Sequence, residues 1–435
     1  METLLRVGEA RRGGLRQRLV PGRPTAVVVT ITAGYVAVAV SSVALLGAGP
    51  RILGPAAFST LALVWTLSSV FGLGLGTPTE QAVTRRISAG EPGALRPLGW
   101  LLLWAGVVVL LLLLLGDRLP AASTGSGLVP GAVLAVVGWV GVTAVRGRLA
   151  GQGHLTRYAV VLGAEALLRM VFVLLAVLLP EATGSLLAAS VGGPLALSAA
   201  IGAVALRRLP VPSPSTTDPE RGDGSHGKHS GEHLQFGVVS IAYQVCLNGP
   251  ALALDWKVGH TQPALVGAFV AVSTVLRSPS LLVGGLSTQA LVTLSSAWAS
   301  RDLSSYAAST RVLARRWAAL VMPTTLLVLV LSPWLLPLYY GSSLEVSAAV
   351  VVSLAVSTLV ATAAAVGTGP LFAAGRGRTA AVAWAAGAVV TTALVVASAG
   401  DTTVLVAGLV CGPLVAGVIV LRAVALTIRS SELQG

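Results

Sequence analysis

The sequence predicts an all-α polytopic membrane protein, with twelve transmembrane helices in two halves built on one plan. Three observations carry this. The 435-residue chain is 54% hydrophobic and only 10% charged, with a mean hydropathy of +0.85, whereas soluble domains carry about 25% charged residues. The charges bunch between apolar runs of about twenty residues, the length at which a helix crosses a bilayer. One run also recurs. RILGPAAFSTLALVWTLSSVFGLGLGTPTEQAVTRRISAGE, from Arg51 to Glu91, returns in degraded form as QPALVGAFVAVSTVLRSPSLLVGGLSTQALVTLSSAWASRD. Pro55 aligns with Pro263, Gly76 with Gly284, Gln81 with Gln289 and Ala82 with Ala290, at an offset of 208 (289 − 81).

The elements follow in order. A basic tail, 1–24, precedes a first span at 26–46, whose apolar run is too long for a signal-peptide core and is read as an uncleaved crossing. The second span, 55–75, starts at Gly54-Pro55 and leaves through Gly72, Gly74 and Gly76 into a polar run ending at Arg85-Arg86. Spans at 97–116, 128–146, 158–179 and 185–206 complete a first lobe over 25–208. Residues 209–235, rich in Pro, Ser, Gly and charge, read as a disordered linker. The second lobe, 236–421, holds spans at 236–255, 264–286, 317–337, 346–366, 380–399 and 402–421, and a tail, 422–435, follows. The runs are continuous and do not alternate, so helices are expected and strands are not. A second internal match pairs Gly147-Arg148-Leu149 and Gly153 with Gly369-Pro370-Leu371 and Gly375, offset by 222 (369 − 147). With six spans per half, the two repeats share one orientation.

An even span count puts both termini on one side. That side collects 24 of the 29 Lys and Arg residues, including Arg85, Arg86, Arg96, Arg146, Arg148 and Arg157. The opposite side has Arg51, Arg118 and Lys257, and Arg169 and Arg277 lie within spans. Basic loops face the cytoplasm, so the expected setting is a multi-pass cell (plasma) membrane protein with both termini cytoplasmic. The net charge of +13 is then a property of loops, and no nucleic-acid partner is expected. Cys246 and Cys411 fall in apolar runs and read as small buried hydrophobes. His226, His229 and His233 read as part of a solvated linker and not as a metal site. The glycines at 72, 74 and 76 lack the strand-turn-helix setting of a nucleotide fingerprint; Gly72 and Gly76 read as a close-packing helix face. No catalytic residue, metal or cofactor is expected, and the protein reads as no enzyme.

Charges at bilayer depth cost at least ~2.5–3.5 kcal/mol on insertion scales, so each needs a reason. Arg277 sits mid-span with no acid one turn away, and Pro279 follows. It faces either a wet cavity, where a guanidinium suits a phosphate, or a structural partner such as Glu165. Glu165 and Arg169 are spaced i, i+4 on one helix face, as a structural pair or a coupling site; Arg169 is also a cavity candidate. Tyr243, Gln244 and Asn248 form a polar stripe that either lines a cavity or bonds neighbouring helices. Asp255, Trp256 and Lys257 close their span at the outer surface. Glu165 is expected to be the one clear intramembrane acid.

LGPAAFSTLALVWTLSSVFGLGLGTPTEQAVTRRIS resembles the span-two signature of the polysaccharide (oligosaccharide) flippases of the MOP exporter superfamily. RGRLAGQGHLTRYAVVLGAEALLRMVFVLLAVLL, Arg146 to Leu179, resembles spans four to five of the same family. The resemblance implies two six-helix lobes in a V around a central cavity. It also implies alternating access that moves a polyprenyl-pyrophosphate-linked glycan from the inner to the outer leaflet, with its tail kept in membrane lipid and polysaccharide-synthesis enzymes as protein partners. The rival expectations are a cation-coupled exporter of the MATE kind, a membrane glycosyltransferase or polymerase, and a non-transporting scaffold in cell-wall assembly.

Overall fold

The computed structural model describes residues 23–88, 93–115, 128–179, 183–207, 226–259, 261–280, 283, 290–291, 293–298, 300–340, 346–398 and 402–432. Helix α1 (Arg23–Phe71) carries the first two spans. It breaks once, at Gly54, where φ of +77° needs a residue without a Cβ. No loop separates the two spans as the sequence suggests. A π-helical turn (Gly72–Gly76) then leads into α2 (Thr77–Ser88). The polar run expected after the Gly-rich exit is thus three further turns of helix. The remaining described elements are α3 (Arg96–Leu115), α4 (Leu128–Gly151), α5 (Leu155–Leu178), α6 (Thr183–Arg207), α7 (His226–Val258), α8 (Pro263–Arg277), α9 (Leu303–Tyr340), α10 (Ala348–Ala373), α11 (Gly377–Ala397) and α12 (Thr402–Glu432).

Eleven helices among the described residues are long and apolar enough to cross a membrane. The remaining expected crossing is the eighth, of which α8 and a 3₁₀ turn (Ser278–Ser280) are described. Several helices run past their expected bounds: α9 begins at Leu303 and not at 317, and α10 ends at Ala373 and not at 366. Helix α7 begins at His226, inside the stretch read as linker, and α12 runs to Glu432, inside the stretch read as tail. A helix that leaves the bilayer can continue in water, so the end of an apolar run does not mark the end of a helix. Residues 209–225, the rest of the expected linker, lie outside the described residues.

The two halves repeat in backbone as well as in sequence. α4 packs on α6 as α10 packs on α12; α5 packs on α6 as α11 packs on α12; α1 packs on α5 as α7 packs on α11. The turn after the fourth span closes with His154 N–H donating to Leu149 O (2.8 Å), around Gly153 at φ +77°. Its counterpart closes with Arg376 N–H donating to Leu371 O (2.7 Å), around Gly375 at φ +70°. Both are helix ends capped by a left-handed glycine, and every member is displaced by 222 residues (371 − 149). Gly93 and Arg301 both have positive φ, at the other offset of 208 (301 − 93).

The lobes share a core at one end. A single core holds Leu45, Leu46, Phe58 and Val173 of the first lobe together with Phe269, Val272, Leu276, Tyr340 and Leu354 of the second. These residues lie in the helix halves near Gly54, Val258 and Tyr340, here termed the far end. Toward the linker end each lobe keeps its own core, around Val145, Leu149 and Leu162 in one and Trp384, Ala416 and Val420 in the other. There the lobes touch where α7 runs beside the π turn and α2.

Candidate functional site

The first lobe is tied together by a buried polar network. Glu165, one turn before Arg169 on α5, accepts from Arg169 Nη2 (2.7 Å). Its second oxygen is taken by Arg146 of α4. Arg169 Nη1 also donates to Ser41 Oγ and Ser42 Oγ of α1 (both 3.2 Å), and its guanidinium lies 5.7 Å from the Trp65 ring centre. A second cluster lies within reach of the Arg146 charge: Tyr158 OH donates to Glu80 Oε1 of α2 (2.7 Å) and meets Tyr35 OH of α1 (2.7 Å). Glu165, Arg146 and Arg169 are all at most 4% exposed. Two acids and two arginines balance in charge, and the ions that share the α4–α5 interface are paired, as burial requires.

The sequence placed two of these charges differently. Arg146 is no loop cation; it lies inside the span at Val129–Gly151 and is buried. Glu80 belongs to the span at Ala57–Thr84, so Glu165 is not alone as an intramembrane acid. Asp255, 3% exposed in the span at Leu234–Val258, is a third. A signal for Glu80 existed: Gly76, Glu80 and Val83 share one face at i, i+4, i+7, which marks the polar run as helix. Nothing local links Arg146 to Glu165, nineteen residues on. The three linker-end histidines fall on the first turns of α7, where their side chains lie outside the described residues.

The second lobe is different at the matching places. An offset of 222 carries Arg146 to Thr368, Glu165 to Gly387 and Arg169 to Thr391. Thr368 accepts from Trp384 Nε1 (3.1 Å), a neutral substitute for the ion pair. Among the described residues the buried cation of the second lobe is Arg277, the last residue of α8. It is 9% exposed, and among the described residues its Nε and Nη2 have no hydrogen-bond partner. Glu165 is not its partner, because both carboxylate oxygens are engaged within the first lobe.

The stripe on α7 divides between two faces. Tyr243 turns into its own lobe, edge-on to Trp384 (5.0 Å between centres), with Ser280 and the Arg277 charge nearby. Gln244, 2% exposed, turns toward the first lobe: its Cγ lies 3.4 Å from where a Cβ on Gly74 would be. Asn248 Nδ2 donates to Gln244 Oε1 (2.6 Å). The structure therefore brings Tyr243 and Arg277 into one neighbourhood, sets Gln244 and Asn248 at the seam between lobes, and keeps Arg169 and Glu165 inside the first lobe. Lys257, expected at the outer surface, reaches the end of α11 and donates to Val395 O (2.8 Å) and Val396 O (2.9 Å).

No protein-family model and no curated protein sequence matches this chain. Solved structures do. A multidrug-resistance MATE-family transporter of the MOP superfamily in an inward-facing conformation superposes with a TM-score of 0.66 at 14% identity, covering 90% of this chain and 95% of the other. One in an outward-facing conformation gives 0.66 at 16%, covering 95% and 98%. A MOP-superfamily transporter from Pyrococcus furiosus, described as having a binding pocket of reversed polarity, gives 0.66 at 15%, covering 94% and 97%. At such identities the likeness establishes the fold. This chain folds as the MOP-superfamily transporters do, over nearly its whole described length.

Proposed function

We propose that the protein is an alternating-access membrane transporter. Its cargo is an anionic lipid-linked glycan, a polyprenyl-pyrophosphate-linked oligosaccharide carried from the inner to the outer leaflet. The observation that carries this reading is Arg277. An arginine buried at membrane depth, with two nitrogens unpartnered among the described residues, is costly unless it meets an anion or water for part of the cycle. A guanidinium fork matches phosphate oxygens with paired hydrogen bonds. The lobes, with a shared core at the far end and separate cores toward the linker end, are the kind of arrangement that can rock about a central site. Two negative charges moved outward across an inside-negative membrane gain roughly 4.6 kcal/mol per 100 mV, at about 2.3 per charge, so the potential itself favours export. The cytoplasmic placing of the linker end rests on the loop charges alone.

The test is lipid scrambling in reconstituted vesicles with a fluorescent polyprenyl-pyrophosphate-linked sugar. Arg277→Ala should cut movement at least tenfold and Arg277→Lys should keep part of it, since the charge remains and the fork is lost. Movement equal to the unaltered protein in Arg277→Ala overturns the reading.

A second reading is a cation-coupled small-molecule exporter. It is supported by the acids Glu80 and Glu165 inside the first lobe and by the multidrug transporters among the similar structures. Efflux of a cationic dye driven by an imposed proton or sodium gradient, unaffected by Arg277→Ala, would favour it.

A further inference from the structure

Cations are scarce at the far end, so each one there invites an explanation. Lys257 has its ammonium on Val395 O, Val396 O and Ser398 Oγ (3.1 Å), closing the end of α11. Arg118 lies outside the described residues. Arg51 is exposed and stands three residues before the Gly54 break, at the depth where a spanning helix meets lipid headgroups. Its Nη2 donates to Leu338 O, the carbonyl near the end of α9. A guanidinium has five N–H donors, and one carbonyl takes one of them.

Beside Arg51 lies a cleft of about 460 Å³, lined by Ala44, Gly47, Ala48 and Ile52 of α1, Val177 of α5 and Leu338 of α9. The small residues of α1 form its floor. Its walls are open to the hydrocarbon: Val177 is 56% and Leu338 65% exposed. Arg51 is the one charged side chain in the lining. A ligand-sized apolar groove ending in a single cation has the charge and shape of a lipid, with chain in the groove and phosphate on the arginine.

We infer that this cleft binds an anionic phospholipid of the far-end leaflet. Arg51 takes the phosphate, and an acyl chain lies over Ala44, Gly47 and Ala48 between Val177 and Leu338. Because α1 and α5 belong to the first lobe and α9 to the second, the lipid bridges the seam where the lobes meet. It acts as part of the closed far end whatever the cargo is.

The experiment is native mass spectrometry of the detergent-purified protein titrated with phosphatidylglycerol, with phosphatidylethanolamine and inorganic phosphate as comparisons. The unaltered protein should retain phosphatidylglycerol in preference to phosphatidylethanolamine, and excess inorganic phosphate should not displace it. Arg51→Gln, which removes the charge, and Ala48→Leu, which fills the floor, should each lower retention at least fivefold. Arg51→Lys should keep more than half. Should Arg51→Gln fail to fold, Ala48→Leu decides, because it keeps the charge. Retention unchanged by Ala48→Leu, or displacement by inorganic phosphate, overturns the inference.

Discussion

Arg169 and Arg277 are the same residue type at similar depth, yet their surroundings set them different tasks. Arg169 is matched by Glu165, Ser41 and Ser42, so its charge contributes to holding α1, α4 and α5 together. Removing the shared acid leaves two buried cations unpaired, and Glu165→Ala should cost about 3–5 kcal/mol, read as a large fall in unfolding midpoint in detergent. Arg277 gives up little when truncated, since two of its nitrogens have no partner among the described residues. Arg277→Met should leave the unfolding midpoint unchanged or raise it while abolishing transport, a split that a structural arginine would not show. The i, i+4 pair of Glu165 and Arg169 was legible because helical spacing is local. Arg146 was not, because its partner is chosen by how α4 lies against α5. Glu80 was hidden by its neighbours: a run holding Thr, Gln and two arginines reads as loop until its buried face is seen.

Among elements, glycines decide how closely helices approach. A Cβ on Gly72 would fall 1.9 Å from the Trp139 ring, and one on Gly76 3.0 Å from Thr143 Oγ1. Gly72→Ala should therefore destabilise by about 1–3 kcal/mol through overpacking, and Trp139→Leu in the same chain should recover much of it, as a double-mutant cycle of unfolding midpoints would report. The turns after α4 and α10 make a paired test. Gly153→Ala and Gly375→Ala each force a left-handed conformation on a residue with a Cβ, at about 1–2 kcal/mol. Comparable losses are expected in both halves, because the caps are copies. The sequence carried these glycines in plain view at an offset of 222. The same alignment sets Thr368, Gly387 and Thr391 opposite the charged cluster, but that replacement gains meaning only once α10 and α11 are known to face each other as α4 and α5 do.

At the scale of the whole molecule, the shared core at the far end and the separate cores toward the linker end imply a pivot. A cysteine pair replacing Arg51 and Leu338, bridged by a short bis-maleimide, should hold the far end shut. Bridging should lower transport at least tenfold below the rate of the same pair before bridging; a rate unchanged by bridging would show that the far end need not open. The sequence by itself determined the solvent this chain folds in, the helices that follow and their doubling, since hydrophobic length and repeat spacing are written along the chain. The tertiary structure alone decided which ions are neutralised, which lacks a full set of partners among the described residues, and at which end the lobes share a core. Those outcomes depend on how helices lie against one another: Arg146 and Glu165 are 19 residues apart and Arg169 and Ser41 128, and they meet only in the packed fold, where an unpaired charge is costly.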